Sequence, residues 1–174
     1  GTLVDSRRDI SLAANAVRLA WGLPAATSEA IASFVGDGVR MLLARALAHG
    51  RDLEPWELAE QELDDAQQEF GIHYQEHLLD HTDLYPGIRG LLDDLAPRPL
   101  FLATNKPRAF TVPILEGLDL VQVFEAVVCG DDVARRKPHP DHLRQCLHGT
   151  DIASERCLMV GDSHNDVLPA HALG

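Results

Sequence analysis

Positive charge is scarce in this sequence. Its 174 residues carry 15 Lys and Arg against 27 Asp and Glu, a formal net charge of −12. An acidic surface of this kind repels the phosphates of nucleic acids and the anionic headgroups of membranes. The longest basic run, residues 135–137, is too short to follow a nucleic-acid backbone. We therefore expect neither a nucleic acid nor a membrane as a partner.

Long hydrophobic runs and cysteines are also few. No apolar stretch approaches the roughly 20 residues of a membrane-spanning helix, and the first ten residues lack the order of a secretory signal. The three cysteines are an odd number, and Cys129 and Cys157 lie in apolar runs, which is typical of reduced thiols. These features predict a cytoplasmic protein.

Helical periodicity dominates the first part of the chain, and no strand signal appears in the first eighty residues. Caps, glycines and a proline set the predicted helix limits. The last predicted helix has a probable interruption at Gly71. The predicted helices cover residues 6–21, 27–34, 39–47 and about 55–79.

The pattern changes near residue 84. Short apolar runs at 100–103, 126–129 and 157–160 alternate with helical segments, and another helix begins near Asn165. Strands buried on both faces and separated by helices predict a parallel sheet in an α/β unit. We therefore expect two domains. They are an all-helical domain of residues 6–83 and an α/β domain of residues 1–5 and 84–174.

Small or polar residues follow each predicted strand, at 104–106, 130–132 and 161–163, with Asp166 one turn later. Turn chemistry alone favours such residues. In open parallel sheets, however, ligands bind beyond the carboxyl ends of the strands, where these loops would meet. Carboxylates gathered there suit Mg²⁺ shared with a substrate phosphate.

The distribution of lysine supports a phosphate site. Lys106 and Lys137 are the only two lysines, and both follow predicted strands. A lysine supplies a compact, mobile charge that can stabilise a transferring phosphoryl group. The alternative is an ordinary solvated charge.

Six short motifs follow one another along the chain. They are GTLVDS at 1–6, FVGDGVRMLLARAL at 34–47, LYPGI at 84–88, LATNKP at 102–107, KPHP at 137–140 and VGDSHND at 160–166. With this ordered set the chain resembles the haloacid dehalogenase (HAD) superfamily, and most closely the bacterial phosphoglycolate phosphatases.

This resemblance implies a fold and a reaction. The fold would be α/β, with a Rossmann-like three-layer parallel-sheet core and an inserted all-helical cap. The reaction would be Mg²⁺-dependent hydrolysis of a small phosphorylated metabolite, with 2-phosphoglycolate as the first expectation, through an aspartyl-phosphate. A phosphatase or phosphomutase for a sugar phosphate or another small phosphoester is the alternative within the class.

The resemblance also implies roles in the α/β domain. Thr104 and Asn105 would bind the phosphoryl oxygens, and Lys137 would stabilise their negative charge. Asp162 would bind Mg²⁺, with Asp166 as a further or supporting ligand.

In the helical cap, Gly36, Asp37 and Gly38 match the loop that closes over the substrate. Arg40 and Arg45 are candidates for binding a substrate carboxylate, because arginine pairs bidentately with that group. A solvated helix face is the competing interpretation of both arginines.

The chain departs from the family pattern at Gly1. In the family, an Asp-x-Asp pair precedes the glycine and threonine at this point and supplies the nucleophile and the general acid/base. We therefore expect these residues upstream of Gly1 in a longer polypeptide, whose last strand is also missing here. Residues 1–174 alone are then expected to be inactive. The alternative from another class is a non-catalytic binding module that acts through its helical cap.

Two histidine groups raise the possibility of a second metal site. His73, His77 and His81 recur at four-residue spacing, and His139, His142 and Cys146 could meet near the start of a helix. Solvated helix histidines and a chance cluster are the favoured interpretations.

Overall fold

The computed structural model describes residues 1–174 and contains eight α-helices and four short strands. The chain divides into two compact units. One, here called the helical unit, comprises residues 6–82. The other, the α/β unit, comprises residues 1–5 and 83–174. None of the eight helices combines the length and the apolarity needed to cross a bilayer.

The helical unit contains four α-helices in positions close to those predicted. Helix α2 begins where expected because the Thr27 hydroxyl accepts a hydrogen bond from the N–H of Ala30 at 3.2 Å. The four helices are α1 (Arg7–Ala20), α2 (Ser28–Ser33), α3 (Val39–Ala48) and α4 (Glu60–Glu76).

The prediction for the fourth helix is partly wrong. Pro55 starts only a single 3₁₀ turn, Pro55–Glu57, and α4 begins after it, where the Glu62 carboxylate accepts a hydrogen bond from the N–H of Ala59 at 2.8 Å. Gly71 does not interrupt the helix. Its low helix propensity is offset by its neighbours Phe70 and Tyr74, which are each 1% exposed and anchor α4 on both sides of the glycine.

Two buried charged side chains in the helical unit are held by hydrogen bonds within that unit. Asp9 accepts hydrogen bonds at Oδ2 from the Thr82 hydroxyl at 2.7 Å and from the N–H of His81 at 3.0 Å. Arg18 donates to the carbonyls of Pro24, Ala46 and His49. The Asp9 bonds connect the start of the segment to its end. Breaking any of these bonds would be costly, because it would leave a buried polar group unsatisfied.

The α/β unit contains a parallel strand pair, β3 (Phe101–Ala103) and β4 (Ala126–Val128), with Leu102 opposite Val127. This pair confirms the predicted α/β class with parallel strands. Four helices accompany the strands close to the predicted positions. They are α5 (Ile88–Leu95), α6 (Arg108–Gly117), α7 (Asp141–Leu147) and α8 (His164–His171).

Two strand predictions are wrong. β1 (Val4–Asp5) and β2 (Asp83–Leu84) form a two-residue antiparallel ribbon that the sequence did not reveal, since two residues are too few to show an alternating pattern. Residues 157–160 form no strand. No strand pairs with this run, and two of its side chains are open to solvent, with Leu158 87% and Val160 63% exposed.

The core of the α/β unit lies between the parallel strands and two helices. Leu92 of α5 and Leu115 of α6 pack with Leu120, and Leu102 and Val127 of the strands lie against this cluster. Helix α7 packs against both β3 and β4. This packing fixes the carboxyl end of β3, where the predicted phosphate loop begins.

Candidate active site

Thr104 continues the strand pair by one residue. Its N–H donates to the carbonyl of Val128 at 2.9 Å, and its hydroxyl oxygen accepts a hydrogen bond from the N–H of Lys106 at 3.1 Å. The hydroxyl proton can still donate to a ligand. The structure thus places a fixed hydroxyl at the carboxyl end of β3, as the sequence pattern predicts.

Asn105 and Lys137 hold each other through their polar groups. The side-chain Oδ1 of Asn105 accepts from the backbone N–H of Lys137 at 3.0 Å, and its Nδ2 donates to the carbonyl of the same lysine at 3.0 Å. Asn105 is 9% exposed. Its side chain therefore fixes the loop that carries Lys137. A direct contact between Asn105 and a phosphate stays a prediction.

The ammonium group of Lys137 is held at a defined point. It donates to the carbonyl of Ala103 at 2.8 Å and to Oδ1 of Asp166 at 2.6 Å, and the side chains of Lys137 and Asp166 are each 9% exposed. An ammonium group has three N–H donors, so one is left to meet a ligand. The sequence separates these residues widely, and the structure brings them into one network.

Asp166 performs two tasks in this network. While Oδ1 meets Lys137, Oδ2 accepts hydrogen bonds from the N–H of Ser163 at 3.2 Å and from its hydroxyl at 3.1 Å, which caps α8. The carboxylate predicted as a possible Mg²⁺ ligand is thus turned towards Lys137. Its role as a metal ligand stays a prediction.

Asp162 is the more open carboxylate, with its side chain 54% exposed. Oδ1 accepts from the Thr2 hydroxyl at 3.0 Å, and Oδ2 lies 3.2 Å from the amino nitrogen of Gly1. Asp162 is therefore a carboxylate that solvent can reach.

Two glycines lie so close to residues of this network that a side chain at either position would collide with them. A Cβ on Gly161 would stand 2.2 Å from the Cβ of Asp166, and a Cβ on Gly130 would stand 2.3 Å from the carbonyl oxygen of Asn105. Sequence reasoning treated both as ordinary turn residues. Only the structure shows that each one clears space for a neighbouring site residue.

The two carboxylates that follow β4 are bound by Arg108, the first residue of α6. Asp131 accepts from the N–H of Arg108 at 2.8 Å, and Asp132 pairs with the guanidinium of the same arginine. The hydrogen bond from Arg108 holds the pKa of Asp132 below its ordinary value. These two residues cap and anchor the start of α6.

No group of three or more histidine, cysteine, aspartate or glutamate side chains is placed to hold a metal ion. Within the two histidine groups, His77 pairs with Asp80 at 2.8 Å, and His139 pairs with Asp141 at 3.0 Å. In the predicted Mg²⁺ site, Asp162 has the hard oxygens that Mg²⁺ prefers, so this residue fits the ion as a ligand.

The candidate substrate residues of the helical unit are bound to neighbours within it. Arg40 pairs with Glu60 and with Asp64, the latter at 2.6 Å. Arg45 pairs with Asp37 at 2.7 Å and donates to the carbonyl of Phe34 at 3.2 Å, which holds the loop before α3.

Gly36 and Gly38 have φ angles of 135° and 93°, which favour glycine on either side of Asp37. The predicted roles of Gly36, Asp37, Gly38, Arg40 and Arg45 in substrate binding stay predictions.

Comparisons with known proteins show the family of this chain. A family model described as haloacid dehalogenase-like hydrolase matches residues 1–174. The phosphoglycolate phosphatase of Chromobacterium violaceum is 42% identical over 181 residues, covering all of this chain and 78% of that protein. The phosphoglycolate phosphatase of Escherichia coli K12 is 35% identical over 189 residues, covering all of this chain and 75% of that protein.

A solved structure has the same fold. It is described as a predicted phosphoglycolate phosphatase from Haemophilus somnus 129PT, and it matches with a TM-score of 0.90 and 30% identity over 99% of this chain and 78% of that one. The chain belongs to the haloacid dehalogenase-like hydrolase family. Within that family it is a phosphatase, the class to which these relatives belong by name.

Proposed function

We propose that this chain is the larger part of a Mg²⁺-dependent phosphatase that hydrolyses 2-phosphoglycolate, or a closely similar small phosphorylated acid, in the cytoplasm. The reaction proceeds through an aspartyl-phosphate. The nucleophile and the general acid/base come from residues that precede Gly1. The names of the relatives support the substrate class, and their length supports an additional segment, since the chain covers 78% and 75% of two of them.

One observation carries the proposal: the Lys137 ammonium is fixed between the Ala103 carbonyl and Asp166, with one N–H left for a ligand. Held in this way, it can face a phosphoryl group and stabilise the charge that develops as the group is transferred. The ion pair with Asp166 holds the ammonium group in a fixed position. Asn105 fixes the lysine's backbone, so the position is set before the substrate arrives.

The other groups complete a phosphate site. The Thr104 hydroxyl donates to a phosphoryl oxygen, and Asp162 holds Mg²⁺ together with ligands from the residues before Gly1 and from the substrate. When bound, Mg²⁺ neutralises charge on the phosphoryl oxygens. The helical unit acts as a cap in this proposal, and the Gly36–Gly38 loop closes over the substrate and excludes bulk water. Arg40 and Arg45 are its candidate contacts with the substrate carboxylate.

The first test is the change Lys137→Ala in the polypeptide that includes the residues before Gly1. We expect kcat to fall by about 10²–10³-fold, the usual effect of removing a group that stabilises transition-state charge. The change Arg98→Ala removes the same charge from an exposed loop position and is the matched control. Near-normal turnover of the Lys137 variant would contradict the proposed role.

The substrate is tested with a panel of phosphoesters. We expect kcat/KM for 2-phosphoglycolate to exceed that for neutral sugar phosphates, because the charge-assisted, bidentate pair of an arginine with a carboxylate is stronger than its hydrogen bond to a neutral hydroxyl. Equal rates would favour the broader activity on sugar phosphates. No hydrolysis of any phosphoester would remove the enzymatic proposal altogether.

A further inference from the structure

His142 lies beneath the phosphate loop and has no part in the chemistry proposed above. It belongs to the first turn of α7 and is completely buried. Its Nε2 lies 3.1 Å from the carbonyl oxygen of Thr104. Residues 104 and 142 are far apart in sequence, so this contact joins α7 directly to the carboxyl end of β3.

The partner atom fixes the tautomer of the ring. A carbonyl oxygen can only accept a hydrogen bond, so Nε2 must carry the proton. Nδ1 is buried and has no hydrogen-bond partner. A second proton on Nδ1 would therefore bury an unsatisfied donor as well as a charge.

The surrounding charges support a neutral ring. Burial lowers the pKa of His142, and the nearby Lys137 lowers it further, as does Arg136, while Asp132 and the Thr104 carbonyl act in the opposite direction. The net shift is downward. Near neutral pH the ring is thus an uncharged donor with its proton on Nε2.

Thr104 sits at the start of the network that positions Lys137. The peptide group is planar, so fixing the Thr104 carbonyl also fixes the direction of the adjoining Asn105 N–H. Asn105 then holds the backbone of Lys137 through both polar atoms of its side chain. A shift at the Thr104 carbonyl is therefore transmitted through Asn105 to the lysine.

We propose that His142 is a positioning residue of the phosphatase site, which holds the Thr104–Asn105 peptide, and through it Lys137, by donating a hydrogen bond from Nε2. This inference rests on the proposed function for its kinetic consequence. The hydrogen bond and the tautomer are claims about the structure, and they can be measured without substrate.

The kinetic test compares His142→Gln with His142→Leu in the complete polypeptide. A glutamine amide can place an N–H close to the position of Nε2, whereas leucine fills the space without a donor. We expect His142→Gln to keep kcat within about threefold of the parent, and His142→Leu to lower it about 10–100-fold, the scale of a small misplacement in a reacting group. KM should change little, since the substrate contacts remain.

The control is His148→Leu, the same substitution at an exposed histidine just after α7, which should leave kcat unchanged. An unchanged kcat in His142→Leu, or equal losses in both His142 variants with similar melting temperatures, would overturn the positioning role. A parent protein with no phosphatase activity would instead contradict the proposed function.

A second measurement keeps the inference testable if the variants fail to fold. Two-dimensional ¹H–¹⁵N NMR of the unaltered protein at pH 7 distinguishes the two neutral tautomers and the imidazolium form. We expect His142 to show a neutral ring protonated at Nε2. A ring protonated at Nδ1, or a cation, would overturn the inference whatever the kinetics show.

Discussion

Lys137 illustrates how much of a functional side chain's chemistry is decided by its neighbours. The Ala103 carbonyl and the Asp166 carboxylate take two of its three N–H donors, and Asn105 holds its backbone. A change in either Asn105 or Asp166 is therefore expected to affect turnover through the position of the lysine. Mutational effects at this site are therefore expected to be strongly non-additive.

Gly161 offers a direct test of this coupling. The change Gly161→Ala would place a methyl group 2.2 Å from the Cβ of Asp166, so that side chain must move and release Lys137. We expect kcat to fall about 10–100-fold, because a displacement of the order of an ångström in a reacting group has this effect. Steady-state kinetics on the complete polypeptide measure it.

The control for Gly161→Ala is Gly90→Ala, since a Cβ at Gly90 meets nothing within 4 Å. If both alanine variants turned over at the parent rate, the contact between Asp166 and Lys137 would not matter for turnover, and the prediction would be wrong.

The ion pair of Asp132 with Arg108 gives a prediction about pH. Because the folded-state pKa of Asp132 is lowered, chiefly by the hydrogen bond from Arg108, the pair stabilises the fold above the unfolded-state pKa near 4 and loses this effect as the pH falls below it. The change Asp132→Asn should therefore lower the free energy of unfolding at pH 7 by about 0.2–1 kcal/mol, the range of a partly exposed pair.

Denaturant titrations at pH 7 and pH 3 check this prediction. The difference in stability between the parent and Asp132→Asn should shrink at the lower pH. A difference that grows on acidification would contradict the assignment of the pair.

At the scale of single residues, the sequence indicated candidate site residues but not the contacts that hold them in place. Lys137 stood out as one of only two lysines, and Asp162 as an acidic residue after a predicted strand. His142 and Gly161 carry no comparable signal, because a buried histidine and a turn glycine look the same whether or not they hold a site. Their roles depend on contacts between distant parts of the chain.

The starts of several helices in this protein are set by capping residues. Thr27 caps α2, and Ser163 with Asp166 caps α8, each through the side-chain bonds expected for a helix start. The helix positions could for this reason be predicted closely. The short β1–β2 ribbon could not, and the apolar run at 157–160 looked like a strand although it has no partner.

Alanine substitutions at three glycines test how backbone conformation affects the stability of the helices. Gly71 of α4 and Gly90 of α5 lie in helix interiors with open space around them, so alanine at either should raise the free energy of unfolding by about 0.5–1 kcal/mol. Gly87 also has open space but a φ of 85°, so alanine there should lower stability by about 1 kcal/mol. Equilibrium unfolding of the three variants measures these changes, and a common sign would contradict the conformational argument.

For the molecule as a whole, the division into two compact units is the main organising feature. The helical unit is one continuous segment with its own buried core, to which Val17, Leu43, Leu47 and Phe70 contribute. The six ordered motifs predicted the family, which the match over residues 1–174 confirms. No sequence pattern could specify which polar groups pair inside each unit.

Residues 6–82 are expected to fold alone. A segment of this length with one buried core is within the size range of small independent domains. We expect the isolated segment to show helical circular dichroism and a single cooperative thermal transition. The change Asp9→Ala should lower its melting temperature, since Thr82 and the N–H of His81 would lose their buried acceptor. A broad, non-cooperative transition would show that the segment depends on the rest of the chain.

The β1–β2 ribbon has a consequence for how such a protein can change. Asp5 and Asp83 are directly paired, so the chain departs on residues 6–82 and returns to the strand beside the one it left. An insertion with adjacent ends can be exchanged through two junctions while Thr104, Lys137 and Asp162 remain on an unaltered scaffold. Replacement of residues 6–82 by recombination at the ribbon could therefore change substrate selectivity and leave the proposed catalytic residues in place.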